Sequence, residues 1–176
     1  MSGNNYNAGR WAEKYIMDLL NNIFKNRRVK RITVYDSNKN EIAQTISING
    51  NTFICPDIYA SWNMEDEVIE EFRVEVKSFV EFPDNIPFRS NVPILIISKR
   101  QFEEYSELQY LEEVPIYIAF VINKHFPKLY WASIDNIKKM KRKEAIYTWK
   151  MSENTEVCYF FRADSFSDDI QEFMYL

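Results

Sequence analysis

The chain has 176 residues, of which 46% are hydrophobic and 27% charged, and this balance predicts one globular domain over residues 1–176, with its core at about 8–123 and later strands and short helices at 124–176. Three glycines are too few for a glycine-rich phosphate loop, which excludes the P-loop and dinucleotide-binding classes, and one histidine with two cysteines argues against a Cys/His zinc site. The net charge of −4 does not by itself indicate a nucleic-acid-binding protein, so the distribution of charge matters more than its sum.

The first half of the chain predicts one helix followed by strands. Apolar residues recur at helical spacing over residues 8–24, with Asn7 as a plausible N-cap. Strands are predicted over residues 29–35, 42–48, 52–61 and 72–80. The turn Asn49-Gly50-Asn51 predicts a hairpin that joins the second of these strands to the third. The acidic stretch 63–71 is predicted to be a loop.

The second half begins with a proline-broken, irregular segment over residues 84–93. Ser98 is predicted to cap a helix that ends near residue 113, and the strand 116–123 follows. The remaining elements are a strand at 130–132, a short basic helix at 133–140, strands at 145–149 and 157–162, and a final helix at 168–174. This order predicts an α/β sandwich with a mixed central sheet flanked by helices.

The most informative residues are Asp57, Glu75 and Lys77. Residues two apart on a strand share a face, so Glu75 and Lys77 point the same way, opposite the valines beside them. If the strand that carries Asp57 lies beside this strand, the two carboxylates come close together and repel unless a cation lies between them. Carboxylate oxygens favour Mg²⁺ or Mn²⁺, so the pattern predicts a divalent-metal site with a lysine beside it.

This pattern, Pro56-Asp57 followed by Glu75-Val76-Lys77, resembles the signature of the PD-(D/E)XK nuclease superfamily, which includes type II restriction enzymes, archaeal Holliday-junction resolvases and RecB-like nucleases. The resemblance spans about residues 8–123. It implies a restriction-endonuclease-like α-β-β-β-α-β core and Mg²⁺-dependent (or Mn²⁺-dependent) hydrolysis of DNA.

The same resemblance implies roles for individual residues. Asp57 and Glu75, with Val76 between Glu75 and the lysine, are placed at the metal. Lys77 orients water or stabilises the transition state. Many members carry a further glutamate on the first helix, and Glu13 is similar to it. RecB-like members carry Gln-x-x-x-Tyr on the helix after the lysine strand, and Gln101 and Tyr105 have that spacing.

Basic residues form two short runs that are candidates for contact with nucleic acid. The first run is Lys25, Arg27, Arg28, Lys30 and Arg31, and the second is Lys138, Lys139, Lys141, Arg142 and Lys143. The predicted contacts within them are Arg27, Arg28, Lys138, Lys139, Lys141 and Arg142. The alternative interpretation is that both runs are solvated ends of elements. The two cysteines and the absence of an apolar leader in this sequence predict a cytoplasmic protein without a membrane partner.

Two other functions stay open at this point. One is a catalytically inactive module on the same fold that binds DNA or a protein. The other is an unrelated α/β binding module in which the motif is accidental. For the enzyme, the sequence leaves open the form of the DNA, the cut site, endonuclease or exonuclease action, the biological pathway and whether a homodimer forms.

Overall fold

A computed structural model describes residues 6–23, 27–31, 34–35, 41–42, 44–64, 67–79, 82, 86–149 and 154–169; side chains are described for 9–23, 44–61, 71–79, 82, 86–149 and 154–169. The elements in chain order are α1 (Tyr6–Ile23), β1 (Arg27–Arg31), β2 (Val34–Tyr35), β3 (Glu41–Ile42), β4 (Thr45–Ile48), β5 (Asn51–Ile54), β6 (Ile58–Met64), β7 (Glu67–Phe79), β8 (Ile94–Ser98), α2 (Lys99–Glu112), β9 (Ile116–Ile122), β10 (Lys128–Ser133), α3 (Ile134–Lys139), β11 (Arg142–Thr148), β12 (Thr155–Arg162) and a 3₁₀ turn (Ala163–Ser165). No helix in this part of the chain is both long enough and apolar enough to cross a membrane.

The central sheet has five strands in the order β1-β6-β7-β9-β10. Only the β7–β9 pair is parallel, and the chain crosses between these two strands through β8 and α2. The other three pairs are antiparallel. The predicted α/β fold with a mixed central sheet flanked by helices is confirmed, and α1, β1, β6, β7, α2 and β9 follow one another in the predicted order.

The two faces of the central sheet form separate apolar cores. On one face, α1 buries Ala12, Ile16 and Leu20 against the sheet. On the other face, α2 and α3 pack on alternate residues of β9, with Phe102, Tyr105 and Leu108 of α2 buried. Burying a side chain of this size stabilises the fold by about 1.5–3 kcal/mol, so α2 is held firmly over the sheet.

A second, antiparallel sheet has the order β11-β12-β8. Its strand β8 was not predicted, because all five of its residues are buried and a continuous apolar run between prolines and a helix shows no alternation. Since β8 runs directly into α2, this second sheet fixes where α2 begins.

The prediction of a loop over the acidic stretch 63–71 is wrong for most of its length. β7 begins at Glu67 and pairs antiparallel with β6, with a shift in register between Trp62 and Asn63. Pairing with a neighbouring strand outweighs the poor strand propensity of charged residues. The predicted strand 52–61 is also divided, because β5 pairs with β4 whereas β6 pairs with β1 and β7.

Several local predictions have clear outcomes. The β4–β5 hairpin turn is confirmed, with positive φ of 51° at Asn49 and 84° at Gly50. Asn7 lies within α1 and is not its N-cap. Ser98 is at the N-cap of α2, but its side chain makes no capping bond and donates to Glu156 instead. Of the predicted helix 168–174, residues 168–169 are not helical and the rest lies outside the described residues.

Candidate active site

Asp57 lies directly before β6, where that strand meets the middle of β7. Ile58 is paired with Val74, so the next position outward places Asp57 opposite Glu75. The Val76 N–H donates a hydrogen bond of 2.8 Å to Asp57 Oδ2, so the carboxylate takes the place of a backbone acceptor at the end of β6. A strand residue directs its N–H and C=O to the same side, so the Val76 carbonyl also points toward the Asp57 edge.

Glu75 is only 5% exposed, and both of its carboxylate oxygens accept hydrogen bonds. Lys77 Nζ donates to Oε1 at 2.7 Å, and Gln101 Nε2 donates to the same oxygen at 2.9 Å. The Tyr105 hydroxyl donates to Oε2 at 2.6 Å. A carboxylate that is removed from water needs such donors, and here they come from β7 itself and from α2.

Lys77 is held from two sides. Its Nζ also donates to Gln101 Oε1 at 2.6 Å, and Gln101 Nε2 lies 3.1 Å from the Tyr105 hydroxyl oxygen. The Lys77 side chain is 23% exposed, so the ammonium group is held by two partners on a side chain that stays partly accessible. Gln101 and Tyr105 are four residues apart and so lie on one face of α2, the face that packs on the sheet.

The electrostatics of the site are dominated by Asp57. Loss of hydration raises the pKa of its carboxyl group well above the ordinary value, and the nearby Glu75 carboxylate raises it further. The Val76 N–H and the Lys77 ammonium oppose this shift without cancelling it. The pKa of Tyr105 is also raised well above its usual value, by burial and by Glu75, so this hydroxyl group stays protonated and donates. Two carboxyl groups, those of Asp57 and Glu75, thus share the site with the one ammonium group of Lys77.

Glu13 on α1 is near enough to contribute to the raised pKa of Asp57, so α1 brings a third carboxylate towards the site. Nevertheless, within the described residues no three His, Cys, Asp or Glu side chains are grouped so that they could hold a metal ion. The candidate ligands are therefore limited to the carboxylates of Asp57 and Glu75, with the Val76 main chain beside Asp57.

The predicted basic residues lie outside this network. Lys138 on α3 pairs with Asp135, and Lys139 lines a cavity that also contains Asp164 and Asp168. Arg142 is the first residue of β11, and Lys141 directly precedes it. Arg27 and Arg28 are on the edge strand β1, and their side chains lie outside the described residues.

One contact that positions the site had no signal in the sequence. Arg73 on β7 and Glu112 at the end of α2 form a two-pronged ion pair with distances of 3.0 and 2.9 Å. The two side chains are 12% and 11% exposed. This pair fastens the C-terminal end of α2 to the strand that carries Glu75 and Lys77. The partners are 39 residues apart, and nothing in either local pattern connects them.

No family model matches the chain, and no curated protein matches it. Among solved structures, it is similar to the Holliday junction resolvase Hjc of Archaeoglobus fulgidus, with a TM-score of 0.48 and 14% sequence identity over 92% of this chain and 93% of that chain.

Proposed function

We propose that this protein is a metal-dependent nuclease that hydrolyses phosphodiester bonds in DNA, with Asp57, Glu75 and Lys77 at its catalytic centre. The observation that carries the proposal is the meeting of these residues. Asp57 faces Glu75 across two paired strands, and Lys77 is held beside Glu75 on the same face of β7. Burying three ionisable groups in one site costs folding free energy, and this cost favours a functional role for the group.

The donor set fits a hard divalent cation. Asp57 retains a second carboxylate oxygen beside the Val76 main chain, and the repulsion between Asp57 and Glu75 that raises the Asp57 pKa would be relieved by a cation bound between them. All the candidate ligands are oxygen atoms, which suits Mg²⁺ or Mn²⁺ and not Zn²⁺ in a thiolate or imidazole site.

A cation bound there would polarise a phosphodiester oxygen and lower the pKa of a water molecule at the site. Lys77 supplies a fixed positive charge where negative charge grows on the phosphate during attack. Gln101 and Tyr105 hydrogen-bond to the Glu75 carboxylate, and Gln101 also accepts from the Lys77 ammonium group, so the two residues hold these charged groups in place. We assign them as positioning residues. Glu13 adds negative charge near Asp57 and so favours a cation over an empty site.

One observation favours a second candidate, an inactive module that binds DNA or a protein. The Glu75 carboxylate is already satisfied by three donors within the protein, one of which is the lysine ammonium group. A network that is closed in this way is stable without any ion. Under this alternative the motif is a structural ion pair.

The test is cleavage of labelled DNA by the purified parent protein, with duplex, four-way junction and single-stranded forms each incubated with Mg²⁺, Mn²⁺ or chelator. We expect cleavage of at least one form with metal, no cleavage with chelator, and none by Asp57→Asn. Lys124→Ala, which changes an exposed residue in the turn after β9, is the control variant and should cleave like the parent. Cleavage that survives chelation would exclude the mechanism. No cleavage of any form would favour the binding module.

A further inference from the structure

A basic groove lies across one end of the second sheet, lined by residues of all three of its strands, and is not part of the site described above. Among the described residues that line it, five are basic and none is acidic; the five are Arg89, Lys141, Arg142, Lys143 and Arg162. Its apolar floor includes Phe88 and Phe160, and its volume is about 360 Å³. Such a concentration of positive charge is notable in a chain whose net charge is −4.

Most of this charge is not compensated by the residues that the structure describes. Arg162 is paired with Asp164 at 2.6 Å. Arg89, Lys141, Arg142 and Lys143 make no ion pair with another residue of the described part of the chain. A groove with low-dielectric walls concentrates the potential of such charges, which raises the local concentration of an anionic partner.

Aromatic rings hold two of these cations in position. Lys143 Nζ lies 4.1 Å from the centre of the Phe88 ring, inside the groove. The Arg142 guanidinium lies 4.5 Å from the centre of the Tyr159 ring, on the α2 side of the second sheet, beside the groove. Contacts of this kind order the side chains without neutralising them. The charges are therefore arranged before any partner binds.

The groove lies close to the candidate active site along the chain of elements. Ile94, the first residue of β8, is in the groove wall, and Ser98 ends the same strand. At about 3.3 Å per strand residue, β8 spans about 13 Å. Gln101 comes three residues later on α2, which adds about 4.5 Å. The groove is thus within about 18 Å of Gln101, which contacts Lys77. Arg142 lies between the two, because its guanidinium is 5.9 Å from the centre of the Phe102 ring, next to Gln101 in the chain.

We infer that this groove binds the phosphate backbone of the DNA on one side of the cleavage position, an assignment that rests on the proposed nuclease function. Base pairs rise about 3.4 Å along a duplex, so 18 Å corresponds to about five base pairs. The groove therefore holds phosphates up to about five nucleotides from the phosphate at Lys77. It contributes affinity without reading the base sequence, because lysine and arginine contacts to phosphates carry no sequence information.

This inference divides the basic run predicted from the sequence. Lys141 and Arg142 belong to the groove, whereas Lys138 and Lys139 on α3 do not. Arg89 and Arg162 could not be found from the pattern, because they are far from the run in sequence and are brought to it only when β12 pairs with β11 and β8.

The experiment compares two triple variants that remove the same charge. R89A/K141A/K143A changes the groove, and K124A/K138A/K139A changes exposed lysines outside it. Binding of labelled duplex, four-way junction and single-stranded DNA is measured in Ca²⁺ over a range of salt concentrations. With Ca²⁺ in place of Mg²⁺, the result does not depend on whether the parent cleaves.

We expect the groove variant to bind about 10- to 100-fold more weakly than the parent, with a salt slope reduced by about 2 to 3, because each phosphate contact contributes about 0.9 to that slope. The minimum duplex length for full affinity should shorten by about five base pairs in the same variant. The control variant should keep the slope and the length of the parent. Thermal unfolding of both variants verifies that they fold. If the groove variant does not fold, K141E alone, which changes an exposed position, should weaken DNA binding.

Equal losses in the two triple variants would mean that only net charge matters and would overturn the inference. So would a groove variant that binds every DNA form like the parent but no longer binds polyglutamate, since that result assigns the groove to an acidic protein. If the parent binds DNA through the groove and cleaves none of the forms, the proposed nuclease function fails while the groove assignment stands. If the parent cleaves DNA, and the groove variant keeps the parent's salt slope and minimum duplex length, the groove assignment fails while the proposed nuclease function stands.

Discussion

Replacement of Lys77 by alanine should abolish most of the catalytic rate while leaving metal and DNA bound. Lys77 Nζ makes two hydrogen bonds, to Glu75 Oε1 and Gln101 Oε1, and neither Asp57 nor the Val76 main chain depends on it. The ligand set is therefore intact in Lys77→Ala. In the proposed mechanism the ammonium group acts on charge that develops only as the phosphate is attacked, so its loss should lower turnover and not binding.

The magnitude follows from the geometry. One preorganised electrostatic contact of this kind is worth about 100- to 1000-fold in rate, or about 2.7–4 kcal/mol. The metal-free fold should also lose about 2 kcal/mol, because Glu75 keeps two donors but no longer has a charged partner. Added Mg²⁺ should recover part of this stability, since a bound cation compensates the same carboxylate.

The assay is single-turnover cleavage in Mg²⁺, combined with DNA binding in Ca²⁺ and metal titration on the same preparation. Lys99→Ala is the matched control, because Lys99 is also paired with a glutamate, Glu144, at 2.9 Å, and its contacts are with Glu144 and the Tyr159 ring and not with Glu75 or Lys77. We expect Lys99→Ala to cleave at the rate of the parent. A Lys77→Ala variant that cleaves as fast as the parent would refute the reasoning and reduce the motif to an ordinary ion pair.

Three further variants test other parts of the account. Asp57→Asn should be more stable than the metal-free parent at pH 7. Because the pKa of Asp57 is raised in the folded protein, the carboxyl group contributes its stability below the unfolded pKa of about 3.9 and loses it as pH rises through the folded pKa. The difference in unfolding free energy between Asp57→Asn and the parent should therefore disappear in acid. Tyr105→Phe removes the bond to Glu75 Oε2 and should weaken metal binding or activity about 10-fold. Arg73→Ala leaves the Glu112 carboxylate almost buried without its partner and should cost about 3 kcal/mol of unfolding free energy.

Each variant has its own measurement and control. Urea unfolding over a pH series in chelator tests Asp57→Asn, and a variant less stable than the parent at pH 7 would contradict it. Tyr110→Phe, on the exposed side of α2, is the control for Tyr105→Phe and should change neither metal titration nor rate. Arg100→Ala breaks an exposed pair with Glu104 and should cost less than about 1 kcal/mol. Equal costs at Arg73 and Arg100 would argue against a special role for the buried pair.

The parts of the fold that the sequence predicted are those with a local periodic signal. The stripe of α1, the alternation around Glu75 and the turn at Gly50 each follow from residues close together in the chain. β8 was missed because a fully buried strand loses the alternation that identifies strands. The first part of β7, from Glu67, was missed because its pairing with β6 outweighs the poor strand propensity of its charged residues. A local window of sequence does not contain that pairing.

The candidate site divides in the same way. Strand parity placed Glu75 and Lys77 on one face, and helical spacing placed Gln101 and Tyr105 on another. That these two faces meet in one hydrogen-bonded network depends on how α2 packs on β7, which long-range contacts such as Arg73–Glu112 determine. The charges of the basic groove come from separate segments, so only the folded chain brings them together.

The most direct test of the central claim is the position of a bound metal ion. Anomalous diffraction from a crystal soaked in Mn²⁺ should show one peak, within about 2.0–2.3 Å of an oxygen of Asp57 and an oxygen of Glu75, and Asp57→Asn should abolish it. A peak that lies elsewhere, or the absence of a peak between the two carboxylates in crystals of protein that cleaves DNA with Mn²⁺, would contradict the account.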